Sequence, residues 1–297
     1  MIRADRLYCS FAAHSFPQPS VTVPAPPTDR PRLRLDIAYE GTGFAGWQIQ
    51  PDAPTVQGEL ERALDRVYGR RVRLAGASRT DAGVHALHQV CHFDLLPDDV
   101  AIPPAKVRQA TQRFLPPTIT ILRTAREPAA WHSIKSVASK RYRYLIHESA
   151  VSHPALRRWA WRVDGPLDAE LMQEAAARLV GRHDFACFET TGAPRRSTVR
   201  TVFELTLRET AAGLPYEPLT LPGYAPGRLL ALEIEGDGFL YNMVRTIAGT
   251  LVKVGKRRWT PDDVSRILAS RDRNLAGETA PAHGLWLTNV RYGERRA

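Results

Sequence analysis

Between residues 32 and 125 the apolar period switches repeatedly between two and about 3.6, in the order strand, helix, strand, strand, helix, strand. RLRLDIAY (32–39) alternates, with Leu33, Leu35, Ile37 and Tyr39 on one face. TVQGELERALDRVYG (55–69) sets Val56, Leu60, Ala63, Leu64 and Val67 on one helical stripe, with Thr55 as N-cap and Gly69 as stop. RVRL (71–74) reads as a short strand and HQVCHFDL (88–95) as a longer one. PPAKVRQATQRFLPP (103–117) is a helix bounded by prolines, and ITILRTA (119–125) returns as a strand.

The second half is written in the same style. KRYRYLIHE (140–148) is a strand, and LDAELMQEAAARLVG (167–181) is a helix with Asp168 as cap and Gly181 just past its end. STVRTVFELTLRE (197–209) and GRLLALEIEG (227–236) alternate as strands. FLYNMVRTIAGTLVKVG (239–255) is a helix. TPDDVSRILAS (260–270) is another, with Thr260 as cap, Pro261 at its first position and two aspartates in its first turn. GLWLTNVRY (284–292) closes as a strand. This order predicts an α+β fold of two similar split-βαβ halves of the ferredoxin/RRM type, with mainly antiparallel sheets. The halves are placed at 31–128 and 129–297, and a cleft between them is the expected active site. Residues 1–30 read as a disordered extension, because VTVPAPPTDRP (21–31) is proline-rich and lacks a period.

Charge narrows the partner. Lys and Arg number 41 against 31 Asp and Glu, a net charge of +10, which favours a polyanion such as nucleic acid. Cys9, Cys91 and Cys187 form no close pair, which argues against a disulfide framework or zinc ribbon and fits a reducing cytoplasm. No apolar run approaches membrane-spanning length, and the apolar stretch of MIRADRLYCSFAAHSF is too broken for a secretory signal.

GASRTDAGVHALHQVCHFDL (76–95) concentrates Arg79, Asp81, Gly83 and His85 on a turn that leads into a strand. Alone, RTDAG reads first as an ordinary turn in which Asp81 accepts backbone hydrogen bonds and Gly83 supplies a positive φ, and only the other segments shift that weight. Arg245 is the only charge between Met243 and Val252 of an apolar helix, beside the small residues Ala248 and Gly249. An arginine sunk there needs a carboxylate, for which Asp81 is a candidate, or must snorkel to solvent. In SKRYRYLIH, Tyr142 and Tyr144 share a strand face among Lys140, Arg141 and Arg143. Aromatics among cations suit base stacking beside phosphates, and equally a half-buried strand; Tyr144 reads as core and Tyr142 as either. His85, His88 and His92 lie close to Cys91 and Asp94, but Cys91 points away from His88 and His92, so no metal site is expected. No Walker A loop, dinucleotide fingerprint or Ser-His-Asp constellation is present.

SRTDAGVHA, YEGTGFAGWQIQP (39–51), KRYRYLI, FLYNMVRTIAGTLVKVG and the late AHGLWL together resemble the tRNA pseudouridine synthase A family, in order from about residue 32 to 292. The resemblance implies two α/β halves whose sheets join around a central basic cleft, and a homodimer with each tRNA held across both subunits. It implies isomerisation of uridine to pseudouridine at positions 38, 39 and 40 of the anticodon stem-loop, without metal or organic cofactor. It makes Asp81 the catalytic aspartate, Arg245 its partner, Tyr142 the residue stacked on the target base, and Arg79 the arginine linked to base extrusion. The sequence departs from the family in two places. Ser78 stands where glycine is frequent, and Trp131, His132, Ser133 and Ile134 stand where an aromatic, His or Asp, Ala and Arg are frequent. The missing arginine bears on local RNA contacts and leaves the catalytic set intact. Two other classes fit parts of the pattern. An inactive RNA-binding module needs the basic face without Asp81 and Arg245, and a glycoside hydrolase needs a second flanking carboxylate, for which no suitable turn is evident.

Overall fold

In the computed structural model, which describes residues 30–190, 197–210 and 227–294, the alternation of β1 (Arg32–Tyr39) decides where the core lies. Leu33, Leu35 and Ile37 are fully enclosed beneath α1 (Val56–Tyr68) and α2 (Pro104–Gln112), which contribute Val56, Leu60, Leu64 and Val107. Each such side chain contributes about 1.5–3 kcal/mol on burial, so the period-two pattern fixes the register of β1. Residues of the opposite parity, Arg34 and Asp36, face the other side of the sheet. There Asp36 is 4% exposed and meets Arg34, His88 and Arg123.

Ten strands and five α-helices are present among the described residues. The remaining strands are β2 (Ala75–Gly76), β3 (His85–Asp94), β4 (Ile119–Glu127), β5 (Val137–Glu148), β6 (Trp161–Val163), β7 (Gly181–Asp184), β8 (Val199–Glu209), β9 (Arg228–Gly236) and β10 (Leu285–Tyr292). The remaining helices are α3 (Ala169–Ala177), α4 (Met243–Gly255) and α5 (Pro261–Ser270). One mainly antiparallel sheet runs β4-β1-β3-β10-β5-β9-β8-β7, with β2 added beside β3 and β6 beside β5. Its seam is the short parallel pairing of Trp286 and Leu287 in β10 with His85 and Ala86 in β3. The start of β3, immediately after the Asp81 turn, is therefore tied to the last strand of the chain.

The helix ends follow their caps. Thr55 accepts from Gly58 N–H, and Gly69 takes the left-handed φ of 64° that stops α1. Asp168 caps α3, and Thr260 with Asp263 forms a capping box on α5.

Several boundaries differ from expectation for visible reasons. Residues 71–74 are not a strand, because the N–H groups of Val72 and Leu74 donate to Asp65 and Glu61 of α1 instead of a ladder. Pairing there is confined to Ala75 and Gly76. The next strand begins at His85, three residues earlier than expected, because the seam with β10 extends it. α4 begins at Met243 and not at Phe239, because Asn242 adopts φ 61°, which no α-helix accommodates. Gly181, expected as a helix stop, opens β7, and β6 and β7 are both additional to the expected strands. The expectation of disorder for residues 1–30 falls, except for Arg30, outside the described residues.

Candidate active site

The turn that carries Asp81 is held by the glycines of the 41–47 loop. Gly41 and Gly46 press directly on its backbone: a Cβ on Gly41 would lie 2.0 Å from Val84 O, and one on Gly46 2.6 Å from Thr80 O. No other residue type permits that approach. Trp47 N–H donates to Thr80 O (3.0 Å), Gly83 N–H to Phe44 O (3.3 Å), and Val84 N–H to Asp81 O (3.1 Å). The hydroxyls of Tyr39 and Thr80 meet at 2.8 Å. His85 anchors the same loop: its Nδ1 accepts from Gly41 N–H (3.0 Å), which leaves Nε2 to donate to Arg158 O (2.9 Å). Burial lowers the pKa of His85, consistent with a neutral ring stacked on Trp286. The buried amide of Gln89 brackets Ser78, accepting from its N–H and donating to its carbonyl. Asp81 thus projects from a turn with few ways to move.

Opposite it, α4 supplies Arg245. Met243, Ile247, Leu251 and Val254 form its buried stripe, as the period predicts. The small residues let the 276–281 segment lie against the helix. A Cβ on Gly249 would sit 1.9 Å from Glu278 O, and one on Gly277 2.6 Å from Thr250 N. Arg245 does not snorkel to solvent. Its Nε donates to Ala280 O (2.7 Å), while Nη1 donates to Asn242 Oδ1 (2.6 Å) and lies 3.3 Å from Asp81 Oδ2. The arginine and aspartate side chains are only 16% and 22% exposed. Burial raises the pKa of Asp81 above the ordinary carboxylate value, with the charge and hydrogen bond of Arg245 working against it. The pair is a largely buried carboxylate oriented by one cation, which suits stabilisation or capture of an electron-poor centre.

The structure brings Tyr142 beside this turn. Its hydroxyl meets Ser78 Oγ at 2.7 Å, its ring meets Phe239 edge-on, and it is 6% exposed. Its pKa is pushed up to about 12 by burial, with the Ser78 hydrogen bond opposing and the Asp81 charge adding. Tyr144 is core, and its hydroxyl donates to Pro281 O (2.8 Å). Arg79 is exposed, with no hydrogen-bond or ion-pair partner among the described residues.

The histidines near Asp94 are engaged elsewhere. His88 lies between Asp36 (2.8 Å) and Asn289 (2.9 Å), and His92 Nδ1 meets Ser133 Oγ (2.8 Å). No group of three metal-ligating side chains occurs among the described residues. Ser133, one of the departures in sequence, is fully buried and donates to Ala75 O, whereas Ile134 is 52% exposed. The role of the 41–47 loop was invisible residue by residue. Its signal in the sequence is three glycines around two aromatics, Gly41, Gly43 and Gly46 beside Phe44 and Trp47. Asn242 was also missed, since an asparagine inside an expected helix carries no mark.

The fold is a mixed α+β one with a buried carboxylate–guanidinium pair, and comparison with known proteins gives the family, one of isomerases. A sequence model described as tRNA pseudouridine synthase matches residues 37–134 and 175–293. The chain is 40% identical over 260 residues to a tRNA pseudouridine synthase A of Thermoanaerobacter sp. (strain X514), covering 88% of this chain and 99% of that one. It is 43% identical over 261 residues to a tRNA pseudouridine synthase A of Brevibacillus brevis, with the same coverage. A third relative of that name, from Halalkalibacterium halodurans, is 40% identical over 255 residues, 86% of this chain and 90% of its own. The chain belongs to the tRNA pseudouridine synthase family.

Proposed function

We propose that this protein isomerises uridine to pseudouridine at positions 38, 39 and 40 of the anticodon stem-loop of tRNAs, with Asp81 as the catalytic carboxylate. The observation that carries the assignment is the 3.3 Å contact between Asp81 and Arg245, which lie 164 positions apart in the chain. The N1–C1′ bond breaks, the uracil turns, and C5 joins C1′. C5 gives up a proton and N1 gains one, so the reaction balances without a cofactor. Cleavage leaves positive charge on the ribose, which an adjacent carboxylate stabilises or captures. Attack on the sugar, attack on the base and removal of a ribose proton all need one ionised, oriented carboxylate in a dry pocket. Arg245 keeps Asp81 ionised against the pull of burial.

Extruding the uridine costs a few kcal/mol of stacking. Arg79, exposed on the same turn, fills the vacated space or holds a flanking phosphate. Tyr142, beside the Asp81 turn, is the residue assigned to cover one face of the extruded base. The net charge of +10 supports a basic cleft for the tRNA backbone. In this reading the sheet is two split-βαβ halves, 31–128 and 129–297, and the matching strand orders β4-β1-β3-β2 and β10-β5-β9-β8 support it. The working unit is a cytoplasmic homodimer that holds each tRNA across both copies.

Asp81→Asn tests the assignment. The change is nearly isosteric, so the turn keeps its hydrogen bonds and tRNA binding, which rests on phosphate contacts, is retained. Release of the hydrogen at C5 of labelled uridine should stop. Asp81→Glu, with one added methylene, should also lose most of the rate. A substantial residual rate in Asp81→Asn would make Asp81 a turn residue only. Retained binding with no turnover in the wild-type protein would favour the inactive RNA-binding module.

A further inference from the structure

We infer that Asn242 is a positioning residue for the isomerisation, its side-chain carbonyl seating the guanidinium of Arg245 so that Nη1 faces Asp81. The inference rests on reading Asp81 and Arg245 as the reacting pair. Asn242 occupies the N-cap of α4, where an asparagine ordinarily bonds the N–H groups of the first turn. It makes no such bond. Its Oδ1 instead accepts from Arg245 Nη1 at 2.6 Å, and its Nδ2 donates to Thr190 Oγ1 at 3.2 Å. The backbone sits in the left-handed region, at φ 61° and ψ 3°, which turns the side chain away from the helix and toward the guanidinium.

The guanidinium therefore has two short fixed acceptors, Ala280 O at 2.7 Å and Asn242 Oδ1, and one longer contact, Asp81. Two acceptors at different edges fix the plane of a guanidinium, because its donors form a rigid fork. Asp81 then meets a cation that is already aimed, and needs only that one nitrogen. Ala280 sits on the segment packed against Gly249, so its carbonyl cannot follow a wandering side chain. Thr190 secures the far end of the Asn242 amide, and Thr190 N–H donates to Tyr241 O (3.2 Å).

The alternative is that asparagine is present only because it tolerates a positive φ. Glycine tolerates it better and has no side chain, so Asn242→Gly separates the two roles. The groups around the ion pair are Tyr142 beside Asp81, and Tyr144 and His283 beside Arg245. Burial raises both phenols away from the range where a carboxylate titrates but lowers His283 toward it, so the pH–rate profile is compared in a His283→Gln background. Acid-limb movement that persists in that background reports Asp81.

In the full-length protein, Asn242→Gly should keep a near-normal melting curve and lower kcat about tenfold, the loss expected for one hydrogen bond to a charged group. KM for tRNA should stay within about twofold, since the pair acts on the reacting centre and not on tRNA affinity. The acid limb should move to higher pH as Arg245 loses its seating. In the double variant Asn242→Gly/Arg245→Met, turnover should equal that of Arg245→Met alone, because Asn242 acts only through Arg245. Wild-type kcat with an unmoved acid limb in Asn242→Gly would overturn the inference, as would additive losses in the double variant. If Asp81→Asn also remained active, the reading of the site itself would have failed; if Asp81→Asn is dead, only the role of Asn242 falls.

Discussion

Replacing Arg245 by methionine is the most direct test of how the site holds its carboxylate. Methionine keeps helix propensity and most of the apolar volume, so α4 and its stripe should persist. Three hydrogen bonds disappear: those to Ala280 O, Asn242 Oδ1 and Asp81 Oδ2. A hydrogen bond to a charged group contributes about 1.5–3 kcal/mol, and every 1.4 kcal/mol is about a factor of ten, so kcat should fall about ten- to a hundredfold. Both side chains retain some exposure, 16% and 22%, which screens the pair and favours the lower end. The pH dependence gives an independent check. Burial raises the Asp81 pKa and Arg245 lowers it. Without Arg245, burial acts alone, and the acid limb of kcat should move to higher pH. The sign for stability follows from the same linkage. A carboxyl whose folded pKa lies above its unfolded value binds its proton more tightly when folded. It favours folding below the unfolded pKa, and that advantage is lost as pH rises through the folded pKa. Methionine enlarges the difference, so the variant should lose less stability in acid than at neutral pH. Arg245→Lys should recover part of the stability and little of the rate, because an ammonium cannot reach all three acceptors in one plane. The assay is release of the C5 hydrogen from tRNA across a pH series, paired with thermal melts. Near-normal kcat and an unmoved acid limb in Arg245→Met would refute the pairing.

Two further outcomes follow from the surface charge and the glycine clamp. With a net charge of +10, tRNA affinity should fall log-linearly with salt in a binding titration; a flat response would show that the basic surface does not hold the tRNA. Gly41→Ala places a Cβ 2.0 Å from Val84 O, so the backbone beside Asp81 must shift. A displacement near 1 Å costs about a hundredfold in rate and overpacking about 1–3 kcal/mol, so turnover should fall much further than melting temperature, and a variant with normal kcat would show that the turn tolerates movement.

The elements that were legible in the sequence are those whose side chains decide their own conformation. β1 and α1 follow from apolar period and caps alone, and their bounds agree with the pattern at Arg32–Tyr39 and Val56–Tyr68. The boundaries that moved are those decided by a partner far along the chain. Residues 71–74 look like a strand in isolation, yet Glu61 and Asp65 of α1 take the N–H groups that a ladder would use. The extra length of β3 comes from β10, some two hundred residues later, which no local window contains. The site divides in the same way. Arg245 is legible because a charge in an apolar helix breaks a local rule, and Asp81 as the candidate carboxylate that such a charge needs, since its turn alone reads as ordinary. Asn242 breaks none, and it becomes visible only once its positive φ and its 2.6 Å contact with Arg245 are in view. The glycines of the 41–47 loop were hidden for a related reason. A glycine needed for close approach looks like any turn glycine until the facing backbone is known, here Thr80 O and Val84 O. What the sequence conceals in this protein is therefore the residues packed around Asp81 and Arg245 more than the proposed reacting pair itself. An arginine in an apolar helix is locally costly and therefore shows in the sequence, whereas the residues packed around the Asp81–Arg245 pair are locally ordinary. Mutational tests of this family member should accordingly weight Gly41, Gly46 and Asn242 alongside Asp81, since a turn that must place one carboxylate loses rate through its supports before it loses its fold.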